Sequence, residues 1–432
     1  AASTPIQGEF CEAGEACFKQ GITSGVPKHT LESIQNTKVV LKGPLSTPVG
    51  YGERSANVFL RKAFGLFANI RPVKQYPNIP SIFKDVPIDL IVIRENIEDL
   101  YAGIEYYHQP GIAQSIKLIS DYGCNHINTF AFEYAKATNR KSVHCATKAN
   151  ILKTTEGMMK ASFEAVCKQY PDIHPYHLII DNCAHQLVIN PSQFDMIVTT
   201  NMNGDIISDL TSGLVGGLGI APSANIGNDY AMFEAVHGAA PDIAGQSKAN
   251  PTAMILSAVM MCRYLGFPDH ANTIEHALAK TLSDGHMTGD LAKDNALSTD
   301  QFTQKVIQNL GQSCPNFQPS AFKKVNMPTI QPPQLNTGTC KGVDIIIVSD
   351  NPYSDIKSAL DQVAQTHSCK PVTLSNRGKV IEDNSPDQII PQWFCRFETQ
   401  SEPYDDQHIS ALIQDVSKTF HWVQVEKLCT FT

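Results

Sequence analysis

The sequence predicts a multi-domain α/β protein with a largely parallel sheet, followed by a small C-terminal domain of a different pattern. The chain has 432 residues, of which 42% are hydrophobic, so it is long enough for two or three domains with substantial cores. Short β-branched runs alternate with longer amphipathic segments, as expected for strands joined by helical crossovers. After Ser313 the composition shifts to Pro, Gln, Asn and Thr, which is typical of a linker.

Three runs of aliphatic and β-branched residues predict buried strands at 38–41, 90–93 and 196–199. Between them, the stretches 56–67 and 150–169 have the apolar spacing of amphipathic helices. The alternation of the two element types gives the α/β assignment.

The region beyond a linker at 314–341 predicts a separate domain at 342–432. Its elements are predicted as strands at 343–348, 371–374, 393–397 and 422–431 and helices at 355–365 and 407–420. The resulting order, βαββαβ, is that of a ferredoxin-like sandwich. Fold analogy alone leaves its role open between an oligomerisation or stabilising module and a regulatory domain for a small ligand.

Charge and cysteine content argue against several classes of protein. The net charge of -8 gives no general attraction to nucleic acid or to an anionic membrane, and no apolar run is long enough to span a bilayer. The twelve cysteines lack CxxC pairs and zinc-like spacing, so they fit free thiols in a reducing compartment better than a disulfide framework.

The most informative local feature is a pair of carboxylates, Asp205 and Asp209, after the turn signal Asn203-Gly204. If a helix starts at that turn, both carboxylates lie on one face. They would then repel each other unless a cation lies between them, and a hard divalent ion such as Mg²⁺ takes oxygen ligands of this kind. The alternative is an N-terminal Asp favoured by the helix dipole and an unrelated solvated Asp.

A second constellation combines small polar residues with three arginines: Ser55, Asn57, Arg61, Arg71 and Arg94. Arginine binds carboxylates bidentately through charge-assisted hydrogen bonds, so this set suits a small polyanion. Taken one at a time, each arginine is better explained as a residue on a solvated helix surface.

Two further segments could carry chemistry. Tyr101 and Lys148 can exchange protons if burial or a metal shifts their pKa values, although a lone Tyr is more often a core or interface residue. The segment 234–251 reads as a loop whose small residues let a ligand approach the backbone. The glycines at 216–219 lack the third glycine and the context of a dinucleotide-binding fingerprint, so we reject that interpretation.

Together these residues resemble the β-decarboxylating dehydrogenases, the family of isocitrate and isopropylmalate dehydrogenases. The resemblance extends over residues 12–310, and the segments 94–103, 201–222 and 234–251 are the most specific to it. It implies a large and a small domain with a central cleft. The expected large domain comprises residues 1–66 and 215–313, and the expected small domain, with its clasp, comprises residues 67–214.

Within the family, Ser55 and Asn57 resemble the isocitrate branch, in which a Ser and an Asn hydrogen-bond a substrate carboxylate. Isopropylmalate enzymes have larger or apolar groups there. The extra C-terminal domain resembles that of a bacterial-type subgroup of isocitrate dehydrogenases. The strand and glycine-rich loop with which the family normally opens are absent, so we expect the numbering to begin inside the natural protein.

The resemblance also implies roles for individual residues. The implied substrate-binding residues are Ser55, Asn57, Arg61, Arg71 and Arg94. The implied metal ligands, for Mg²⁺ or Mn²⁺, are Asp205, Asp209 and, from the partner subunit, Asp181. The implied catalytic residues are Tyr101, which would protonate the enolate, Lys148 from the partner subunit, and Asp181. The implied cofactor-binding residues are Asn150, Glu234, His237, Gly238, Ala240, Asp242, Ile243, Asn250 and Asp290.

The implied reaction is the metal-dependent oxidative decarboxylation of isocitrate to 2-oxoglutarate and CO₂, with hydride transfer to NAD⁺. NADP-using relatives commonly have Lys and Tyr where this chain has Asp242 and Ile243. At an effective dielectric near 20 and roughly 4 Å, a carboxylate repels each unit of phosphate charge by about 4 kcal/mol before screening. Asp242 therefore predicts a preference for NAD⁺, unless its side chain points into solvent.

Two other functions remain open at this stage. One is dehydrogenation of isopropylmalate or homoisocitrate, which Ser55 and Asn57 disfavour. The other is a non-catalytic regulatory subunit, which the complete set of metal and proton-transfer residues disfavours. Because Lys148 and Asp181 would act across subunits, we expect a homodimer at minimum, or a tetramer through the C-terminal domain. The sequence does not distinguish a bacterial cytoplasm from a mitochondrial matrix.

Overall fold

A computed structural model describes residues 4–46, 55–83, 86–292, 294–382, 389–400 and 404–431. The chain divides into two compact units. The first unit comprises residues 1–104 and 116–332, and the second comprises residues 105–115 and 333–432. Within the described ranges, no helix has both the length and the apolar character needed to cross a membrane.

The secondary structure of the described residues follows the predicted alternation of strands and helices. The strands are, in chain order, β1 (Val39–Lys42), β2 (Ala68–Lys74), β3 (Asp89–Glu95), β4 (Glu105–Gln109), β5 (Ile112–Ser115), β6 (Ser142–Thr147), β7 (His174–Ile179), β8 (Met196–Thr199), β9 (Pro222–Ile226), β10 (Ala231–Ala235), β11 (Thr339–Val348), β12 (Thr373–Asn376), β13 (Lys379–Val380), β14 (Trp393–Glu398) and β15 (His421–Thr430). The helices are α1 (Glu15–Lys19), α2 (Lys28–Thr37), α3 (Ala56–Ala63), α4 (Asp121–Thr138), α5 (Thr155–Val166), α6 (Ile180–Ile189), α7 (Asn201–Val215), α8 (Thr252–Tyr264), α9 (Pro268–Ser283), α10 (Thr299–Gln308), α11 (Tyr353–Thr366) and α12 (Asp406–Ser417).

The main sheet of the first unit has the strand order β1-β10-β9-β2-β3-β8-β6-β7. The pairs β1·β10, β3·β8, β8·β6 and β6·β7 are parallel, whereas β10·β9, β9·β2 and β2·β3 are antiparallel. The α/β class is thus confirmed, but the sheet is mixed. One sheet contains strands from both segments that were expected to form separate domains. The boundaries of a large and a small domain stay a prediction.

Helices cover both faces of this sheet, as the alternation of side chains along β3 shows. Ile91 and Ile93 belong to one apolar core, which includes Phe130 of α4. Leu90 and Val92 belong to a second core, which includes side chains of α7 and α9. Because successive strand residues point to opposite faces, a strand buried on both sides needs an unbroken apolar run, and β3 has one.

One local prediction was wrong. Asn203-Gly204 is not a turn that precedes a helix, because α7 already begins at Asn201. A Cβ on Gly204 would lie 2.6 Å from Cγ of Arg94. The glycine is therefore explained by the close approach of α7 to β3 rather than by a turn.

The second unit contains the predicted ferredoxin-like sandwich. Its strands follow the order β13-β12-β14-β11-β15, and the named pairs are all antiparallel. Leaving aside the short β13, this is the order of a βαββαβ fold, so that prediction is confirmed. Alternate residues of β14, Trp393, Cys395 and Phe397, are fully buried against α11 and α12. The first strand begins at Thr339, four residues earlier than predicted.

Nothing in the sequence indicated that the hairpin β4–β5 belongs to the second unit. Gln109 donates a hydrogen bond from Nε2 to the carbonyl oxygen of Pro391 at 3.2 Å, and Gln392 contacts Nδ1 of His108. The segment of linker composition also does more than connect domains. Cys314, Phe317 and Phe322 are buried in the cores of the first unit.

Candidate active site

Two acidic side chains of α7 form the centre of the site, as the four-residue spacing predicts. Asp205 and Asp209 lie one helical turn apart and both retain exposed surface, 35% and 52% of the side chain respectively. Both contact Arg71 Nη1, at 3.2 Å for Asp205 and 3.5 Å for Asp209. Arg94 contacts the same Oδ1 of Asp205. The two carboxylates therefore face two arginines within one chain.

The two arginines are fixed by strands and by polar neighbours. Arg71 lies on β2 and donates from Nε to Asn69 at 2.8 Å. Arg94 lies on β3 and donates from Nη2 to Asn201 Oδ1 at 2.8 Å. Buried guanidinium groups held by amide oxygens have little rotational freedom. Their positions are consequently set before any ligand arrives.

Three positive charges lie near one another here. Burial, followed by the charges of Arg71 and Arg61, lowers the pKa of Arg94 to about 9. Burial likewise lowers the pKa of Arg71, and Arg61 adds to that shift while Asp205 opposes it. The predicted arginine cluster is thus brought together. Mutual repulsion of this kind favours an anion that can neutralise several guanidinium groups at once.

The two carboxylates respond differently to this environment. Burial favours the neutral form of Asp205, but Arg94 and Arg71 outweigh it and lower its pKa. Burial raises the pKa of Asp209, and the charge of Asp205 adds to the shift against the opposing effect of Arg71. The nearer arginines thus keep Asp205 ionised, whereas Asp209 has the weaker cationic support of the two.

Tyr101 lies directly over this cluster. Its hydroxyl donates to Asp205 Oδ2 at 2.5 Å, and its ring lies 4.9 Å from the Arg94 guanidinium carbon. The tyrosine is part of a short 3-10 helix, Leu100–Ala102, and its backbone carbonyl accepts from Lys62 of α3 at 2.9 Å. Burial and the hydrogen bond to Asp205 raise the pKa of Tyr101. The phenol therefore keeps its proton at neutral pH.

Lys148 and Asp181 form a separate pair at the edge of the sheet. Lys148 follows β6, Asp181 is the second residue of α6 after β7, and these two strands are parallel neighbours. Lys148 Nζ lies 2.5 Å from Asp181 Oδ1. Among the described residues of one chain, no group of three or more His, Cys, Asp or Glu side chains is arranged to hold a metal. Asp181 is thus not brought to Asp205 and Asp209 within a single chain.

The remaining residues predicted to bind substrate lie on α3. Ser55 is its N-cap, Asn57 is half-buried, and Arg61 is buried. Arg61 donates to Glu234 Oε1 at 3.0 Å, while its Nε has no hydrogen-bond partner in the described part of the chain. Lys42 contacts the other oxygen of Glu234 at 2.6 Å. The structure thus gives Glu234 two cationic partners inside the protein.

Burial alone would favour a neutral Glu234, but the charges of Lys42 and Arg61 outweigh it and hold its pKa far below the usual range. Glu234 is therefore ionised at neutral pH. Its predicted role in cofactor binding remains a prediction.

The predicted cofactor residues fall into two groups. His237, Gly238 and Ala240 lie in the loop after β10, and Asp242 and Ile243 in a 3-10 turn, with Asp242 exposed. In the second group, Asn250 donates from Nδ2 to Asp290 Oδ2 at 3.0 Å, and a Cβ on Gly219 would lie 2.6 Å from that same oxygen. A side chain at position 219 would therefore have to displace the Asp290 carboxylate, which Asn250 holds. Asn150 is exposed just beyond Lys148.

Comparison with known proteins decides the family. Residues 1–306 match the family model described as isocitrate/isopropylmalate dehydrogenase. The chain belongs to that family. Residues 339–432 also match the model of the bacterial isocitrate dehydrogenase C-terminal domain. The resemblance inferred from the motifs is therefore confirmed for both units.

Individual members of the family agree with this placement. The chain is 48% identical over 440 residues to the NADP-type isocitrate dehydrogenase of Thermus thermophilus, covering 100% of this chain and 89% of that protein. It is 48% identical over 291 residues to a mitochondrial regulatory subunit of the NAD-type isocitrate dehydrogenase of Dictyostelium discoideum, covering 66% of this chain and 82% of that protein. A crystal structure of a Thermus thermophilus protein has a TM-score of 0.96 at 48% identity, covering 100% of this chain and 89% of that one.

Sequence analysis did not identify several polar residues that connect the charged groups of this family member. Asn69 donates to Asn225 at 2.6 Å, and Asn225 donates to Glu234 at 2.9 Å, so a hydrogen-bonded path joins Arg71 to Glu234. Asn69 and Asn225 are direct cross-strand partners in β2·β9, as Lys42 and Glu234 are in β1·β10. Only a correct strand register would have revealed these pairs.

Proposed function

We propose that this protein oxidatively decarboxylates isocitrate to 2-oxoglutarate and CO₂, with NAD⁺ as the hydride acceptor and Mg²⁺ or Mn²⁺ as the metal. The observation that carries the proposal is the meeting of Arg71 and Arg94 at Asp205, with Asp209 also beside Arg71 and Arg61 near enough to repel both arginines. Three mutually repelling guanidinium groups next to two exposed carboxylates suit a tricarboxylate bound together with a divalent cation.

The arginines would bind and orient the substrate. Arg71 and Arg94 contact Asp205 in this structure and could exchange that contact for substrate carboxylates with little movement. Ser55 and Asn57 at the start of α3 would hydrogen-bond the carboxylate that distinguishes isocitrate from isopropylmalate. Since each charge-assisted pair is directional, the substrate would be held in one orientation.

The donor set fits a divalent metal if two chains contribute. Asp205 and Asp209 supply two carboxylates from one chain, and Asp181 of the partner subunit would supply the third. A bound divalent ion polarises a carbonyl oxygen and stabilises negative charge on it. Asp181 is exposed and its pKa is lowered by its hydrogen bond with Lys148, so it is ionised and accessible to a second copy.

Tyr101 is suited to proton donation. Its raised pKa keeps the phenol protonated, and its hydroxyl lies beside Asp205, where the reacting carbons would be held. Lys148 of the partner subunit would assist proton transfer on the opposite side. A homodimer would then be the smallest active species, with a tetramer through the C-terminal domain as the larger alternative.

Asp242 supports NAD⁺ as the acceptor, although the Thermus thermophilus relative is named as NADP-dependent. Within 236–250 the only Lys or Arg is Lys248, which is exposed, so this loop has little positive charge for a 2′-phosphate. A carboxylate can accept hydrogen bonds from a free ribose diol and repels a phosphate. The adenosine would bind between this loop and the Asn250–Asp290 pair.

One observation favours a second candidate, a regulatory subunit, because a relative of this kind is 48% identical over 291 residues. The full-length chain, purified alone, tests both. Initial rates with isocitrate and Mg²⁺ should show turnover, with kcat/KM for NAD⁺ about a hundredfold or more above that for NADP⁺. Turnover that requires a second polypeptide would support the regulatory subunit instead.

Asp242→Lys tests the cofactor assignment separately. The variant should lose most of the preference for NAD⁺, whereas Asp269→Lys, an exposed change at the start of α9, should keep it. An unchanged preference in Asp242→Lys would show that this carboxylate does not face the ribose.

A further inference from the structure

Three charged side chains outside the substrate cluster form a buried triad, Lys117, Asp99 and Glu156. Lys117 Nζ lies 2.5 Å from Asp99 Oδ1 and 2.8 Å from Glu156 Oε1. Both carboxylates are fully buried, and the lysine side chain is only 17% exposed. Buried charges are uncommon unless they are paired, so the arrangement needs an explanation.

Asp99 holds the loop that carries Tyr101. Its backbone has φ 65° and ψ −153°, a region that residues other than glycine rarely adopt. Its side chain accepts from the Leu100 amide at 2.8 Å and from the Met202 amide at 2.9 Å. Met202 lies in the first turn of α7, three residues before Asp205. One carboxylate thus ties the Tyr101 loop to the helix that carries the predicted metal ligands.

Glu156 makes the corresponding contacts on the other side of Lys117. It accepts from the backbone amide of Lys148 at 3.1 Å and from the hydroxyl of Thr200, the N-cap of α7, at 3.1 Å. Asn203 also lies within 3.4 Å of its carboxylate. The segment that carries Lys148 is therefore anchored to the same helix end.

The electrostatic balance makes Lys117 the central member. Burial disfavours its charge, but hydrogen bonds with Asp99 and Glu156 outweigh burial and raise its pKa. Without the ammonium group, two carboxylates would share one dry site and repel each other. Because Asp99 sits in a costly backbone conformation, loss of that cation would release the loop first.

We propose that Lys117 is a positioning residue for proton transfer: through Asp99 and Glu156 it fixes Tyr101 and Lys148 against the start of α7. The proposal rests on the proposed function, in which these two residues move protons. Lys117 itself touches neither substrate nor cofactor in this assignment. Substrate binding depends mainly on Arg71 and Arg94, which Lys117 does not contact.

The kinetic test uses the full-length protein and three substitutions. Lys117→Met should lower kcat about thirtyfold or more while KM for isocitrate stays within about threefold, since binding and proton transfer are held by different residues. The solvent deuterium isotope effect on kcat should rise, because a misplaced proton donor makes proton transfer rate-limiting. Lys117→Arg, which keeps the charge, should recover most of the loss.

A matched control is available on α5. Lys160 pairs with Glu164 one turn away at the surface, so Lys160→Met also removes a lysine from an ion pair. Because exposed pairs of this kind contribute little, kcat and the isotope effect should not change. Equal losses in Lys160→Met and Lys117→Met would overturn the proposal.

Hydrogen exchange separates failure of this proposal from failure of the proposed function. In Lys117→Met the amides of Leu100, Lys148 and Met202 should exchange about tenfold faster or more, while that of Val92 in β3 keeps its protection. This readout does not depend on any activity. Unchanged exchange at those amides would overturn the positioning role, whereas faster exchange in a protein that never turns over isocitrate would overturn only the function.

Discussion

Two clusters in the first unit each combine carboxylates with cationic side chains, but they differ in how far they are exposed to solvent. In one, Glu234 lies between Lys42 and Arg61, all buried, and each of its oxygens has a cationic partner. In the other, Arg71 and Arg94 face Asp205, yet the carboxylates keep exposed surface. The first is closed and has its carboxylate fully paired, whereas the second is left open to further ligands.

The contrast shows that one fold can keep one set of charges paired in its interior and leave another set partly exposed to solvent. The closed cluster drives the pKa of Glu234 far down, so its charge is permanent. In the open cluster the pKa of Asp209 is raised and that of Arg94 is lowered, both mainly by burial. Such groups gain most from a new counter-ion. Asn69 and Asn225 connect the clusters without merging their charges.

The largest expected effect comes from breaking the open cluster. Asp205→Asn should lower kcat/KM for isocitrate by about 10,000-fold, because the variant loses a proposed metal ligand and the carboxylate that accepts from Tyr101. Mn²⁺ binding should weaken in parallel, while circular dichroism and the thermal midpoint stay near wild type. Asp284→Asn, in a surface pair with Lys280, is the control and should be silent. Near-normal turnover in Asp205→Asn would remove the metal assignment.

Breaking the closed cluster should act on stability instead. Glu234→Gln leaves Lys42 and Arg61 buried without a counter-charge and should cost about 3–5 kcal/mol in the free energy of unfolding at pH 7. Urea denaturation measures this loss of stability. The control is Glu32→Gln, which removes a carboxylate from a surface pair with Lys28 and should stay within about 0.5 kcal/mol of wild type.

The sign of the Glu234 effect with pH is fixed by the lowered pKa. The stability that the charge contributes is present above the unfolded pKa and is lost as pH falls through the folded one. The difference between Glu234→Gln and wild type should therefore shrink progressively as pH falls below the usual glutamate pKa of about 4.3. A constant difference down to pH 2 would argue against an ionised Glu234.

Glu95 is a third buried carboxylate, and no Lys or Arg in the described ranges forms an ion pair with it. Burial raises the pKa of Glu95 to about 7, although its carboxylate accepts from the amides of Ile97 and Glu98. Because the pKa of Glu95 is raised in the folded protein, its contribution to the free energy of unfolding is fully present below the pKa of the unfolded chain. That contribution is lost as pH rises through about 7. From pH 5 to pH 8 the unfolding free energy should fall by up to about 3 kcal/mol from this group.

Glu95→Gln should abolish that part of the slope and be at least as stable as wild type at pH 8. Parallel pH–stability curves for the two proteins would show that Glu95 is not neutral in the folded protein at pH 5–7.

The smallest expected effect tests the close approach of α7 to Arg94. A Cβ at Gly204 would meet Arg94, whereas a Cβ at Gly213 on the same helix would meet nothing within 4 Å. Gly213→Ala should therefore stabilise the protein by about 0.5–1 kcal/mol. Gly204→Ala should destabilise it by about 1–3 kcal/mol and raise KM for isocitrate. Equal effects of the two changes on stability and KM would show that the Arg94 side chain can move away from an added Cβ at little cost in free energy.

The parts that the sequence predicted well depend on local patterns. The apolar run in β3 and the alternation in β14 fix strands and their buried faces with no long-range information. The four-residue spacing of Asp205 and Asp209 fixes their common helix face once α7 forms. The wrong assignment of Asn203-Gly204 arose because a glycine chosen for a long-range contact has the same local pattern as a turn.

The features that the sequence did not predict depend on strand register and on contacts between distant segments. The pairing of Lys42 with Glu234 requires β1 and β10 to be neighbours in a known register. The role of Lys117 requires that two remote carboxylates meet it. Neither follows from spacing, because nothing in either segment specifies its partner. The inclusion of hairpin β4–β5 in the second unit is of the same kind.

That hairpin has a consequence for how the protein is made. His108 and Gln392 are 284 residues apart in the chain. A ribosome that adds about 5–20 residues per second leaves the hairpin waiting roughly 15–60 s before its partner has been synthesised. In the folded protein the hairpin is still a two-stranded sheet of its own, and the rings of Tyr106 and Tyr107 are exposed. The contact between His108 and Gln392 therefore forms only after nearly all of the chain has been synthesised.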